Sequence, residues 1–231
     1  MRDFTFESGP RRLSATLFSP AERAPGGSGI LFAHGSGSDR SGYGERATAA
    51  SEQLGATCLT FDLSGHGESD GSRAELSLRD HLDDCRNAFD RLASEPGVDP
   101  ARIGICAASY GAYLGAMLVA LRPVRSLLLR APALYADSEL DAVGASLSSN
   151  PEVTGTPAAL EALAGYSRPV LVLESEHDEL IPHAIVEAYL SACRVGQHRV
   201  LAGAGHSLSE QRWRDEFVAI IVDWFGETLE G

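Results

Sequence analysis

The chain contains no lysine, and all 19 of its lysine-or-arginine positions are arginine. That excludes Schiff-base catalysis, a lysine-anchored pyridoxal phosphate and a P-loop lysine. Cysteine is scarce. Cys58, Cys85, Cys106 and Cys193 stand far apart with no Cys-x-x-Cys pair, which reads as reduced thiols packed as small apolar groups. No apolar run approaches the ~20 residues needed to cross a bilayer. The opening Met1-Arg2-Asp3-Phe4-Thr5-Phe6-Glu7 is too charged for a secretory signal peptide, so the expected address is the cytoplasm. Positive charge is also short: the formal net charge is −13. Nucleic acid and anionic membrane surfaces are therefore not expected partners. A small-molecule substrate is expected, and the sequence leaves the oligomeric state open.

At 231 residues, 44% hydrophobic and 22% charged, the chain fits one soluble α/β domain and is short for two. Phe4-Thr5-Phe6 and Leu13 to Leu17 alternate like half-buried strands around Gly9-Pro10, predicting an antiparallel hairpin. Apolar strands are then expected near 30–33, 57–61, 102–107, 125–130, 169–174 and 197–201. Between them lie helical stripes. Leu78, Leu82, Cys85, Phe89 and Leu92 share one face behind Ser77 as N-cap; Trp213, Phe217, Ile220, Ile221 and Trp224 share another. Ser207-x-x-Glu210 resembles a capping box opening the last helix, with Gly226 near its end. This alternation calls for a mostly parallel, twisted sheet of about eight strands covered by helices on both faces. Residues 131–168 break the rhythm with Pro132, Gly144, Pro151, Gly155, Pro157 and a cluster at Ser146, Ser148 and Ser149. A short lid and an elaborated crossover both fit that stretch.

The chemistry concentrates at three points. Ile103-Gly104-Ile105-Cys106-Ala107-Ala108 runs into Ser109-Tyr110-Gly111, an apolar strand ending at a serine where a helix begins. Such a nucleophile elbow pushes the hydroxyl out of the sheet. Asp178 follows the strand Val170–Leu173, and Glu176 is its rival in the same loop. His206 follows the last strand in Gly203-Ala204-Gly205-His206. An imidazole there can take and return the serine proton, and a carboxylate can orient it. His34-Gly35-Ser36-Gly37 follows another strand. Its backbone can supply one oxyanion donor, at Ser36 or alternatively Gly37, with the Tyr110 N–H as the second. Asp62 and His66, in Asp62-Leu63-Ser64-Gly65-His66-Gly67-Glu68-Ser69, read better as a turn held by side chains than as catalytic groups. His177, Asp178 and His183 match no zinc spacing. The glycines after His34 make no dinucleotide fingerprint. No cofactor and no metal are expected.

Taken together, His34-Gly35, Asp62-x-x-Gly65-His66-Gly67-x-Ser69, Ala107-x-Ser109-x-Gly111, Glu176-His177-Asp178 with Pro182, and Gly205-His206 resemble the α/β-hydrolase superfamily over nearly the whole chain. Within it the chain is similar to small serine esterases and acyl hydrolases related to dienelactone hydrolase. Ala107 replaces the usual first glycine of the elbow, and Ser109 stands where dienelactone hydrolases usually carry cysteine. The resemblance implies the α/β-hydrolase fold and ester or thioester hydrolysis through an acyl-enzyme on Ser109. Amide or carbon–carbon bond hydrolysis by the same triad, and a non-catalytic ligand-binding module, are the alternatives.

Overall fold

The computed structural model describes residues 1–22, 26–143 and 157–229. The expected hairpin is β1 (Arg2–Ser8) and β2 (Arg11–Phe18), paired antiparallel. The remaining strands are β3 (Gly27–Ala33), β4 (Thr57–Phe61), β5 (Val98–Ala108), β6 (Ser126–Arg130), β7 (Val170–Ser175) and β8 (Gly196–Leu201). All join one eight-stranded sheet in the order β1-β2-β4-β3-β5-β6-β7-β8. β2 meets β4 antiparallel, and every pairing from β4 across to β8 is parallel. β4 and β6 are buried throughout, whereas β8 at the edge is largely exposed. Continuous apolar strands occur where helices cover both faces of a parallel sheet.

Strand side chains alternate between two cores. Leu31, Ala33, Ile105 and Leu129 face α2 (Leu78–Ala93), α3 (Tyr110–Leu118), α4 (Ala158–Gly165) and α5 (His183–Ala192). Ile30, Phe32, Cys106 and Leu128 face α1 (Gly44–Leu54) and α6 (Gln211–Leu229). The predicted stripes lie inside: Leu78, Leu82, Cys85, Phe89 and Leu92 of α2, and Trp213, Phe217, Ile220, Ile221 and Trp224 of α6, are buried. Ser77 caps α2 in a reciprocal box with Asp80, an arrangement worth about 1 kcal/mol. Among the described residues, no helix is long and apolar enough to cross a membrane.

One expectation changes. The last helix starts at Gln211, so Ser207 does not cap it. Ser207 belongs to the bend after His206, where the Ser209 N–H donates to the Ser207 carbonyl at 2.8 Å. Arg214 then donates to the carbonyls of Leu208 and Ser209 at 3.0 and 2.6 Å, tying the bend to the first turn of the helix. Gly226 lies near the end of the helix, as expected, three residues before Leu229. Of the stretch 131–168, residues 144–156 lie outside the described residues, and with them Gly144, Pro151, Gly155 and the serine cluster. Its C-terminal part contains α4, which packs against α3 and α5 as the crossover from β6 to β7.

Candidate active site

Ser109 joins β5 to α3 at φ 53° and ψ −117°. A non-glycine residue at positive φ costs about 1–3 kcal/mol, so its surroundings must impose it. They do so through the backbone. The Ser109 N–H donates to the Arg130 carbonyl at 2.9 Å, and the Ser109 carbonyl accepts from Ala112, Tyr113 and Ala133 at 3.1, 3.3 and 3.1 Å. Gly111 is required beside it: a Cβ there would lie 2.5 Å from the carbonyl oxygens of both Ala33 and His34. Ala107 is fully buried at the end of β5, so the methyl that replaces the usual elbow glycine is accommodated.

Residues Ala108, Arg130, Leu173 and Arg199 form one register row across β5, β6, β7 and β8. Ser109, Asp178 and His206 all follow that row, on the same edge of the sheet. Asp178 and His206 meet: His206 Nδ1 lies 3.0 and 2.8 Å from the two carboxylate oxygens. Asp178 Oδ1 also accepts the N–H groups of Leu180 and Ile181, each at 2.9 Å. Burial alone would raise the Asp178 carboxyl. The hydrogen bonds from His206, Ile181 and Leu180 outweigh it and hold the group below the usual carboxylate range. An ionised carboxylate only accepts, so Nδ1 carries the proton and Nε2 is left as the basic nitrogen. The Asp178 side chain is 3% exposed and that of His206 20%. Among the described residues, no hydrogen bond joins the Ser109 hydroxyl to His206. Such contacts tighten when substrate arrives.

Glu176, the rival acid, does not reach His206; it accepts the Gly203 N–H at 2.7 Å. With Glu176 N–H on the Leu201 carbonyl (3.2 Å) and His177 N–H on the Ala204 carbonyl (2.8 Å), it zips the aspartate loop to the histidine loop. His183 sits apart, on Glu174 at 2.8 Å, so it is not brought to His177 and Asp178 as a third ligand.

On the other side of Ser109, Gly35 is in close approach. A Cβ at Gly35 would lie 3.4 Å from Ser109 Cβ and 4.0 Å from Oγ. Ser36 and Gly37 follow in an exposed turn, with Ser36 Oγ accepting from Arg73 at 2.8 Å. Tyr110 opens α3, where the first N–H groups of a helix have no partner within the helix. Its hydroxyl donates to His81 Nδ1 at 2.6 Å, and His81 Nε2 donates to the Ser64 carbonyl at 3.0 Å. Asp62 and His66 lie in a side-chain-held turn, as expected. Asp62 takes the N–H groups of Arg40 (2.7 Å) and Glu68 (3.0 Å) and pairs with the Arg40 guanidinium.

Two residues that sequence reasoning passed over frame the site. His81 lies on the buried stripe of α2, and Arg130 ends the apolar run Ser126-Leu127-Leu128-Leu129 with a charge that stays buried. Both polar insertions in apolar patterns are visible in the sequence; their partners are not.

A family model described as serine aminopeptidase, S33 (Hydrolase_4) matches residues 28–154. An uncharacterized protein of Mycobacterium tuberculosis is 32% identical over 189 residues, covering 79% of this chain and 64% of that relative. The chain thus spans less than two thirds of the curated relatives it matches first. Among solved structures, Est1E of Butyrivibrio proteoclasticus with bound ferulic acid superposes with a TM-score of 0.77 at 17% identity, covering 99% of this chain and all of that one. The enol-lactonase of Burkholderia xenovorans LB400 superposes with a TM-score of 0.71 at 15% identity, covering 95% and 98%. At these identities the structural likeness is one of fold.

Proposed function

This chain belongs to the α/β-hydrolases, in the family described as serine aminopeptidase, S33, and on that premise we propose that it hydrolyses a carboxylic ester through an acyl-enzyme on Ser109. Ser109 Oγ attacks the carbonyl carbon while His206 Nε2 takes its proton. The oxyanion receives the N–H groups of Tyr110 and Ser36. Collapse breaks the ester bond, and His206 returns the proton to the departing alkoxide. A water molecule, deprotonated by His206, then releases the acid and restores Ser109. Asp178 keeps the Nδ1 proton in place and stabilises the imidazolium. Residues 1–231 act in this reading as one domain.

The observation that carries the reading is the Asp178–His206 pair at 2.8 Å on the same sheet edge as a serine strained at φ 53°. Strain at a non-glycine residue is retained where function uses it. An aminopeptidase reading, suggested by the family description, needs carboxylates free to hold a substrate ammonium. Three rim carboxylates are engaged, Asp178 with His206, Glu176 with the Gly203 N–H, and Asp62 with Arg40, while Glu179 of the aspartate loop is exposed. A panel of esters and amino-acid amides separates the two readings.

The test is Ser109→Ala against p-nitrophenyl acetate, with a fluorophosphonate probe in parallel. Turnover is expected to fall by about 10⁴-fold or more, and the probe to label Ser109 in the wild type only. Unchanged turnover in the variant discards the assignment.

A further inference from the structure

Arg130 is the last residue of β6 and is 7% exposed. Among the described residues it contacts no carboxylate. Its guanidinium donates to the His206 carbonyl, to the Gly205 carbonyl at 3.4 Å and to Ser175 Oγ at 3.3 Å. Its Nε is buried without a partner, and the group lies 6.0 Å from the centre of the Phe217 ring. Burying a cation without a contacting counter-charge is unfavourable. The residues before it on the strand are Leu127, Leu128 and Leu129, so an apolar side chain would suit the same place in the sheet. The main chain of Arg130 meanwhile holds the nucleophile, because its carbonyl accepts the Ser109 N–H at 2.9 Å. One residue grips the serine through its backbone and the histidine loop through its side chain.

We propose that Arg130 is a positioning residue that sets His206 against Ser109 by gripping the carbonyls of the histidine loop. This rests on the hydrolase reading above. The groups facing the guanidinium are Tyr43 before α1, Arg46 of α1, Cys106 of β5 and Asp178 after β7. Arg46 adds charge of the same sign. Tyr43 and Cys106, both buried, are pushed upward and stay neutral. Asp178 supplies the opposing negative charge and already faces His206. Guanidinium geometry matters as well as charge, since a planar fork can reach neighbouring carbonyls that an ammonium cannot.

The experiment compares the wild type with Arg130→Met and Arg130→Lys on p-nitrophenyl acetate, reading kcat and KM separately. Arg130→Met is expected to lower kcat by about 10–100-fold with KM within twofold. Arg130→Lys is expected not to restore kcat, because an ammonium cannot span the carbonyls that the guanidinium reaches. Wild-type kcat in a folded Arg130→Met, or a loss carried by KM alone, overturns the proposal. Should Arg130→Met fail to fold, Arg130→Lys decides alone, and wild-type kcat in it overturns the positioning role. Fluorophosphonate labelling of the wild type separates the two levels. Without labelling of Ser109 the hydrolase reading itself fails; with labelling, the Arg130 variants judge only the present inference.

Discussion

On one side of Ser109 the turn from Asp62 to Ser69 wraps around a buried carboxylate; on the other, the loop carrying His206 wraps around a buried guanidinium. The anion gathers N–H groups: Asp62 accepts from Arg40 and Glu68, while the Ser69 hydroxyl donates to the Asp62 carbonyl at 2.7 Å. The cation gathers carbonyls, those of Gly205 and His206. The Asp62 side is closed. Its counter-charge Arg40 is in contact, and at Gly67 a Cβ would lie 2.2 Å from the carboxylate, so the chain wraps the anion without room for a side chain. Among the described residues, the Arg130 side has no carboxylate in contact, and its guanidinium is spent on backbone carbonyls of the histidine loop instead. The paired charge holds a turn closed; the other holds a loop in place.

Asp62→Ala breaks this comparison most strongly. It leaves Arg40 with Glu68 as its one carboxylate among the described residues and two backbone N–H groups without their acceptor, and a loss of about 3–5 kcal/mol is expected on removing one partner of a buried pair. Urea unfolding of wild type and variant measures it. A folded Arg130→Met should lose much less stability than this, because a buried charge replaced by an apolar side chain of similar size is often tolerated. Equal losses at the two positions would erase the distinction between scaffold and site.

Acid sharpens the same contrast, because three buried imidazoles line the Asp62 side. His34 Nε2 accepts the Leu63 N–H at 3.0 Å, and the His34 and His66 rings are 5.1 Å apart, His66 and His81 5.5 Å. Burial, partly offset by a hydrogen bond to Gly35, takes His34 down to about 4. Burial likewise lowers His66 and His81. The unfolded chain then binds protons that the folded one refuses. Stability is intact above about pH 6.5 and falls as pH drops through about 4, with His34 alone contributing a loss of about 3 kcal/mol at pH 4. Urea midpoints at pH 7 and pH 4 check this. An unchanged midpoint would mean that the imidazoles are not held neutral.

The smallest effect is expected at Glu176. It is exposed and holds one N–H, so Glu176→Gln should cost about 1 kcal/mol or less and leave kcat within a few-fold. A loss as large as that of Ser109→Ala would return Glu176 to contention as the triad acid.

Much of this was legible in the chain. Ser109, Asp178 and His206 stand out because each follows a predicted strand, and parallel strands deliver their C-terminal ends to one edge. The α2 cap was legible because a capping box is local. The start of α6 was not: Ser207 and Glu210 have the right spacing, but the chain bends after His206, with Arg214 holding the Leu208 and Ser209 carbonyls, and the helix begins only at Gln211. His81 and Arg130 were missed because a polar residue in an apolar pattern does not reveal its partner. Tyr110 lies on another helix and His206 on another loop.

By itself, the sequence determined the order of strands and helices, the buried faces and the three candidate side chains at the ends of strands, because these follow from local periodicity and from residues a few positions apart. Only the tertiary structure decided which acid meets His206, what forces Ser109 to positive φ, and that Arg130 reaches the histidine loop. Those depend on contacts between chain segments far apart in sequence, where a hydrogen bond of about 3 Å is set by how whole elements pack.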